Sequence, residues 1–396
     1  MKRLLLVIIC IAFLFSGCTT AAAQGEGSSI PEAPLARTLM PVGFAAVPAA
    51  SAPAALDETQ PDSGPQSIKI SAVGDLMCLY AQLSAARENG VYGFDYCYNE
   101  VKSRITGADI AIGNLETLIA KGHPYTARHY TGNPKINGPE TFLSAAAGCG
   151  FDVLVNANNH IFDYKYDGIN KTLQKVEEYG FLHTGAYAQG EERKQLVIDV
   201  KGIKIAVLAY ADHINNRPRN VEGVNVYKES LVKSDIAEAK SAGAEFIIVY
   251  IHWGKERTHR VTSAQKKAAK AIAEAGADII LGSHPHCTQG TALINTDHGP
   301  VPVFYSLGNF LSSMGATICK DSIIVNMTLE KDGQTGETKL SSLTYTPTFC
   351  TAFSGRRFVI LPADLSYIAQ SGKAKILKAS RTRTIRVLGT KVAQPL

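Results

Sequence analysis

The sequence predicts an α/β fold that ends in antiparallel strands, on three observations. From Ser67 onward, short apolar runs rich in Val and Ile alternate with stretches of helical spacing, the order expected of βαβ units. Polar clusters recur just past the C-terminal ends of those runs, where open α/β sheets place their ligand sites. Toward the C-terminus the alternation gives way to two β-rich runs around a Gly-containing turn. No internal repeat is visible.

Taken in order, residues 1–18 lie outside the fold. Lys2 and Arg3 precede a short apolar core, and small residues lead to Cys18. The core is too short to span a bilayer comfortably and has the anatomy of a secretory signal. Phe15-Ser16-Gly17-Cys18 resembles a bacterial lipoprotein processing site, which implies cleavage before Cys18 and lipidation of its sulfur. The plain alternative is a simple signal peptide or an uncleaved anchor. Several acyl chains hold a protein on a membrane where one does not. The expected address is therefore the extracytoplasmic side of a bacterial membrane. Residues 19–66 are rich in Ala, Pro, Ser and Gly and read as a flexible tether, reaching roughly 40 Å as a random coil.

In the expected domain, residues 67–350, strands are predicted over 68–73, 109–112 and 151–155, each running into a polar cluster. The clusters are Gly74-Asp75, Gly113-Asn114-Leu115-Glu116 and Asn156-Ala157-Asn158-Asn159-His160. Helical spacing covers 166–179 and stops at Gly180. Residues 195–200 and 204–210 read as a hairpin, and 231–241 as a helix with Ser230 as its cap. The apolar run 246–251 leads straight into His252-Trp253-Gly254. An amphipathic helix over 263–275 is closed by Gly276. A short buried strand over 277–281 then delivers Gly282-Ser283-His284-Pro285-His286. Proline fixes its own φ and biases the preceding residue toward extended geometry, so this pair of imidazoles sits on a stiff stretch that suits two neighbouring cations. Strands at 303–305, 322–329 and 340–347 complete the pattern.

The chain has 396 residues and a formal net charge of +5, enough length for a large core and too mild a charge to suggest nucleic acid. Beyond Cys18 six cysteines remain: Cys78, Cys97, Cys149, Cys287, Cys319 and Cys350. Export permits disulfides, but no CxxC or zinc-ribbon spacing occurs, and most read as buried unpaired thiols. Residues 351–396 form a basic extension expected to pack on the domain. Its Lys373, Lys375, Lys378, Arg381, Arg383, Arg386 and Lys391 lie in a segment free of acidic residues. Such an end could meet an acidic polymer or anionic head groups; a solvated tail or edge strand is the plainer reading.

The candidate metal ligands are Asp75, Glu116, Asn159, His252, His284 and His286. Carboxylates, an amide oxygen and imidazoles suit divalent Mn, Fe or Zn better than Ca. A carboxylate between two ions can bridge them, and such a pair activates water. His160, next to a proposed ligand, is placed to protonate a leaving group. Each residue has a bland alternative: Asp75 as a helix cap, Asn159 in an Asx turn, Glu116 as a surface charge, and the histidines as hydrogen-bonded loop or strand-end groups. Separate bland roles do not explain why all fall at strand termini.

These stretches, with Ser306-Leu307-Gly308-Asn309-Phe310, resemble the CapA family of bacterial poly-γ-glutamate capsule proteins, related to calcineurin-like metallophosphoesterases. The likeness runs from about residue 68 to 311, with the motifs in the family's order. It implies a two-sheet, four-layer α/β sandwich with helices outside. By this resemblance Asp75, Glu116 and His286 would surround one ion, and Asn159, His252 and His284, with Glu116 reaching across, a second. His160 would be the acid, and Asn114, Asp163, Glu256 and Asn309 would support them. The sequence departs from the wider metallophosphoesterase pattern at Met77, where a histidine is usual, and at Glu116, where an aspartate is usual. Arg257 replaces an aromatic residue. The implied role is making, exporting or anchoring an anionic capsule polymer, beside a membrane synthase. The alternatives are an extracytoplasmic phosphoesterase of nucleotides or wall phosphates, and a non-catalytic scaffold for that synthase.

Overall fold

In the computed structural model, residues 66–215, 222–353 and 357–396 are described. The expected signal, the expected lipidation site at Cys18 and residues 19–65 of the expected linker lie outside them, while Gln66, its last residue, belongs to the first strand. Strands β1 (Gln66–Leu76), β2 (Ile110–Leu115), β3 (Val153–Val155) and β4 (Leu182–Thr184) run parallel in one sheet. The chain then builds a second sheet from β5 (Leu196–Val200), β6 (Ile203–Ala211), β7 (Phe246–His252), β8 (Ile279–Ser283), β9 (Thr291–Thr296) and β10 (Gly299–Phe304). It returns to the first sheet with β11 (Asn309–Leu311), β12 (Asp321–Lys331), β13 (Thr338–Ala352) and β14 (Phe358–Pro362). The first sheet is ordered β14-β13-β12-β1-β2-β3-β4, with β11 also on β1, and the second β9-β10-β8-β7-β6-β5.

The continuous apolar runs follow from burial on both faces. Along β7, Phe246, Ile248 and Tyr250 enter the core between the sheets, while Ile247, Val249 and Ile251 face the helices. On β1, Ile68, Ile70 and Ala72 join the shared core, while Val73 and Leu76 face outward. Each Val, Leu, Ile or Phe among them contributes about 1.5–3 kcal/mol by leaving water. Helix α1 (Glu140–Cys149) covers the first sheet through Phe142, Leu143 and Ala146. Helix α2 (Lys165–Glu178) follows β3. Helices α3 (Glu229–Ser241) and α4 (Ser263–Glu274) cover the second sheet through Val232, Ile236, Ala269 and Ile272. The architecture is the expected two-sheet α/β sandwich with helices on the outer faces and antiparallel strands near the C-terminus.

Several expectations are corrected. Ser230 does not cap α3; Lys228 precedes the helix and Ser230 lies inside it. Helix α4 does carry a cap, because Thr262 Oγ1 accepts from the Gln265 backbone N–H (3.1 Å) while Gln265 Oε1 accepts from that of Thr262 (2.9 Å), a pairing worth about 1 kcal/mol. The boundary expected at residue 350 falls inside β13, and β14 pairs with that strand from Thr348 to Ala352. The basic segment is neither a solvated tail nor an edge strand. It forms helix α5 (Ala374–Leu388), which buries Leu377, Ser380, Thr384 and Leu388. Among the described residues no helix is long and apolar enough to cross a membrane. All six described cysteines are buried and unpaired.

Candidate metal centre

The site lies where β1, β2, β7 and β8 end. Gly74 begins it: a Cβ there would sit 1.8 Å from the Gly308 carbonyl oxygen, so only glycine allows this approach. The register of β1 on β2 shifts between Ala72 and Asp75, a bulge that re-aims the strand end. The Asp75 N–H donates to Gly308 O at 3.0 Å. The Tyr250 hydroxyl donates to the Val73 carbonyl from the opposite sheet. Asp75 is thereby fixed from both layers.

Asp75, Glu116, Asn159, His252, His284 and His286 are all buried. Oxygen or nitrogen atoms of Asp75, Glu116 and His286 lie within 4.8 Å of one another, and so do those of Glu116, His252 and His284. Glu116 belongs to both triads. Asn159 Oδ1 is 2.9 Å from His252 Nε2, which lies 3.1 Å from His284 Nδ1. The scattered strand ends therefore converge on one pocket of donors.

The surrounding amides orient them. Asn114 Nδ2 donates to Asp75 Oδ1 at 2.8 Å and lies 3.3 Å from His252 Nδ1. Asn309 Oδ1 is 3.1 Å from His286 Nδ1. Asp163 Oδ2 lies 2.7 Å from His160 Nδ1 and accepts the Ile136 N–H at 2.8 Å, so the carboxylate fixes that imidazole. Glu256, expected among the supports, is exposed, with an oxygen within 4.8 Å of nitrogens on both His284 and His286.

The electrostatics are those of a crowded site. Burial, then the neighbouring Asp75, Glu256 and Asp163 charges, pushes Glu116 well above the usual carboxylate range. Burial and the nearby imidazoles of His286, His213 and His160 push His284 down to about 2. His252 moves the same way. Both Glu116 carboxylate oxygens and Asp75 Oδ2 are buried without a hydrogen-bond partner. Buried polar atoms are rarely left so, and a divalent cation satisfies them all at once. The donor set fits such a group.

The family follows from residues 69–314, which match the bacterial capsule synthesis protein PGA_cap. The chain belongs to that family. It is 31% identical over 255 residues to the capsule biosynthesis protein CapA of Bacillus anthracis, a match covering 61% of this chain and 60% of that protein. It is 30% identical over 271 residues to the PGA biosynthesis protein CapA of Bacillus subtilis, covering 67% and 69% respectively. Among solved structures, a phosphatase from Mycoplasma pneumoniae aligns with a TM-score of 0.43 and 16% identity, over 78% of this chain and 99% of that one.

Within this PGA_cap member, the His-Pro-His stretch departs from the extended geometry expected before proline. His284 has φ 93° and His286 φ 55°, both left-handed, and non-glycine residues held there carry strain that clusters at functional sites. Just before this stretch, residue 282 must be glycine, since a Cβ there would meet the Tyr305 carbonyl oxygen at 2.1 Å. Cys78 and Cys287 join none of the donor groups found among the described residues; burial pushes the Cys287 thiol up to about 12, and both read as packing. Two contributors were missed in the sequence. Ser283 Oγ lies 2.9 Å from His252 Nδ1. His213, ion-paired with Asp212, stands edge-on to His284 with ring centroids 4.7 Å apart. Asp212 and His213 directly follow the apolar strand β6, so the strand-end rule that found the other ligands applied here too.

Proposed function

We propose that this protein acts in the assembly, export or anchoring of an anionic capsule polymer of the poly-γ-glutamate type, through a hydrolase-like centre that holds two divalent cations, Mn, Fe or Zn. It would work on the extracytoplasmic face of the membrane, tethered through Cys18, beside a membrane synthase. Family membership supports the pathway, and the chemistry rests on one observation: a buried Glu116 with two unpartnered oxygens, shared by two triads of ligand-type groups.

Asp75, Glu116 and His286 would hold one cation; Glu116, Asn159, His252 and His284 the other. When bound, such a pair polarises a substrate oxygen and lowers the pKa of water. The protein's own groups do the rest. Asn114 and Ser283 fix the Asp75 carboxylate and the His252 ring. Asp163 holds His160 through Nδ1, which leaves Nε2 to pass a proton to a leaving group. The site's depth excludes bulk water and strengthens each of these contacts.

The test pairs metal content with polymer output in His284→Ala and Asn159→Ala. Loss of both, with the fold retained, is the expected result; metal and polymer at wild-type levels in both variants overturn the reading.

A further inference from the structure

Two of the donor sets are unequal. Glu116, Asn159, His252 and His284 make four protein donors, whereas Asp75, Glu116 and His286 make three. With Glu116 shared, the two buried carboxylates bring only two negative charges to a centre built for two divalent ions. The His286 side is therefore short of a donor, and the centre as a whole is short of negative charge.

A third carboxylate lies within reach. Glu256 is exposed, yet one of its oxygens is within 4.8 Å of nitrogens on both His284 and His286. Lys255 and Arg257 flank it in sequence, and among the described residues Glu256 makes neither a hydrogen bond nor an ion pair with them or with anything else. A surface glutamate between two cations that pairs with neither is aimed by its backbone. That backbone is constrained at each end. Gly254 has φ 96° and its N–H donates to Asp212 Oδ2 at 3.0 Å, while Arg257 has φ 56° and its N–H donates to the Pro285 carbonyl oxygen at 2.8 Å. The second bond ties the Glu256 loop directly to the proline between the two histidines. Two left-handed stretches are thus locked together, and their joint result is to hold this carboxylate over the paired imidazoles.

We propose that Glu256 is a metal ligand, supplying the fourth donor to the cation held by Asp75, Glu116 and His286. This rests on the two-cation reading above. It makes Glu256 a direct, displaceable ligand rather than a support behind the histidines.

The test is a calorimetric titration of metal-free purified protein with Co²⁺, wild type against Glu256→Gln, with the visible spectrum of bound cobalt recorded in parallel. The expected result is two equivalents in wild type. In the variant, one equivalent is unchanged and the other weakened by more than the roughly 100-fold that loss of a supporting partner costs, with an altered cobalt band. Two equivalents bound by Glu256→Gln with wild-type affinity and spectrum overturn the assignment while leaving the two-cation reading standing. Fewer than two equivalents in wild type removes that reading and this inference with it. Loss of both equivalents in folded Glu256→Gln and Glu256→Ala alike contradicts the assignment to a single cation.

Discussion

Two carboxylates in the first sheet are equally hidden from water and differently treated. Asp321, at the start of β12, accepts from Ser380 Oγ at 2.6 Å and from Arg383 Nε and a terminal guanidinium nitrogen at 2.7 and 2.8 Å. Glu116, at the end of β2, accepts nothing at either oxygen. The first is a closed ion pair that pins helix α5 to the sheet; the second is surrounded by acids and imidazoles. A buried charge with both oxygens engaged belongs to the fold. One left open beside other ligand-type groups is held ready for a cation, at a cost to the metal-free protein.

The comparison can be broken most forcefully at Asp321. Asp321→Asn leaves Arg383 without its counter-charge, and the expected loss is about 3 kcal/mol, read by urea unfolding. An unchanged midpoint would mean that α5 is not anchored there. Next is acidification of chelator-treated protein. His284 and His252 have folded pKa values below the unfolded 6.5, so below that pH the unfolded chain takes up protons the folded one refuses. Their stabilisation is full above pH 6.5 and falls as pH drops, by about 1.4 kcal/mol per unit for each group. Glu116, shifted upward, acts with the opposite sign: its cost is relieved as pH falls. Two imidazoles against one carboxyl give a net loss, and a flat stability profile from pH 7 to 5 would contradict it. The smallest effect is Glu116→Gln, which removes the uncompensated charge. The metal-free variant should be at least as stable as wild type, by about 1 kcal/mol, and lose its metal affinity. A clear drop in its melting temperature would place Glu116 with Asp321 as a structural group.

The sequence carried the site better than the periphery. Asp75, Glu116, Asn159, His252, His284 and His286 could be found because each follows an apolar strand, and strand ends share an edge. The hairpin β9–β10 was hidden by Pro300 and Pro302, which argue against a strand. They are tolerated because β8 pairs with β10 only at Val303 and Phe304, past the prolines. Helix α1 was obscured because it is apolar on several faces, burying Phe142, Leu143, Ala145, Ala146 and Ala147. Helix α5 was obscured for the opposite reason: its buried stripe includes Ser380 and Thr384, and its dense cations suggested a tail. The left-handed His284 could not be read locally: the stretch is tied to a distant loop, through the Arg257 N–H on the Pro285 carbonyl oxygen.

The central claim is that open donors around Glu116 bind cations. Elemental analysis of the protein purified without chelators, wild type beside Glu116→Gln, tests it most directly. About two divalent ions per wild-type chain and a loss in the variant are predicted; a wild-type protein that carries none, and takes up none when Mn, Fe or Zn is supplied, contradicts it.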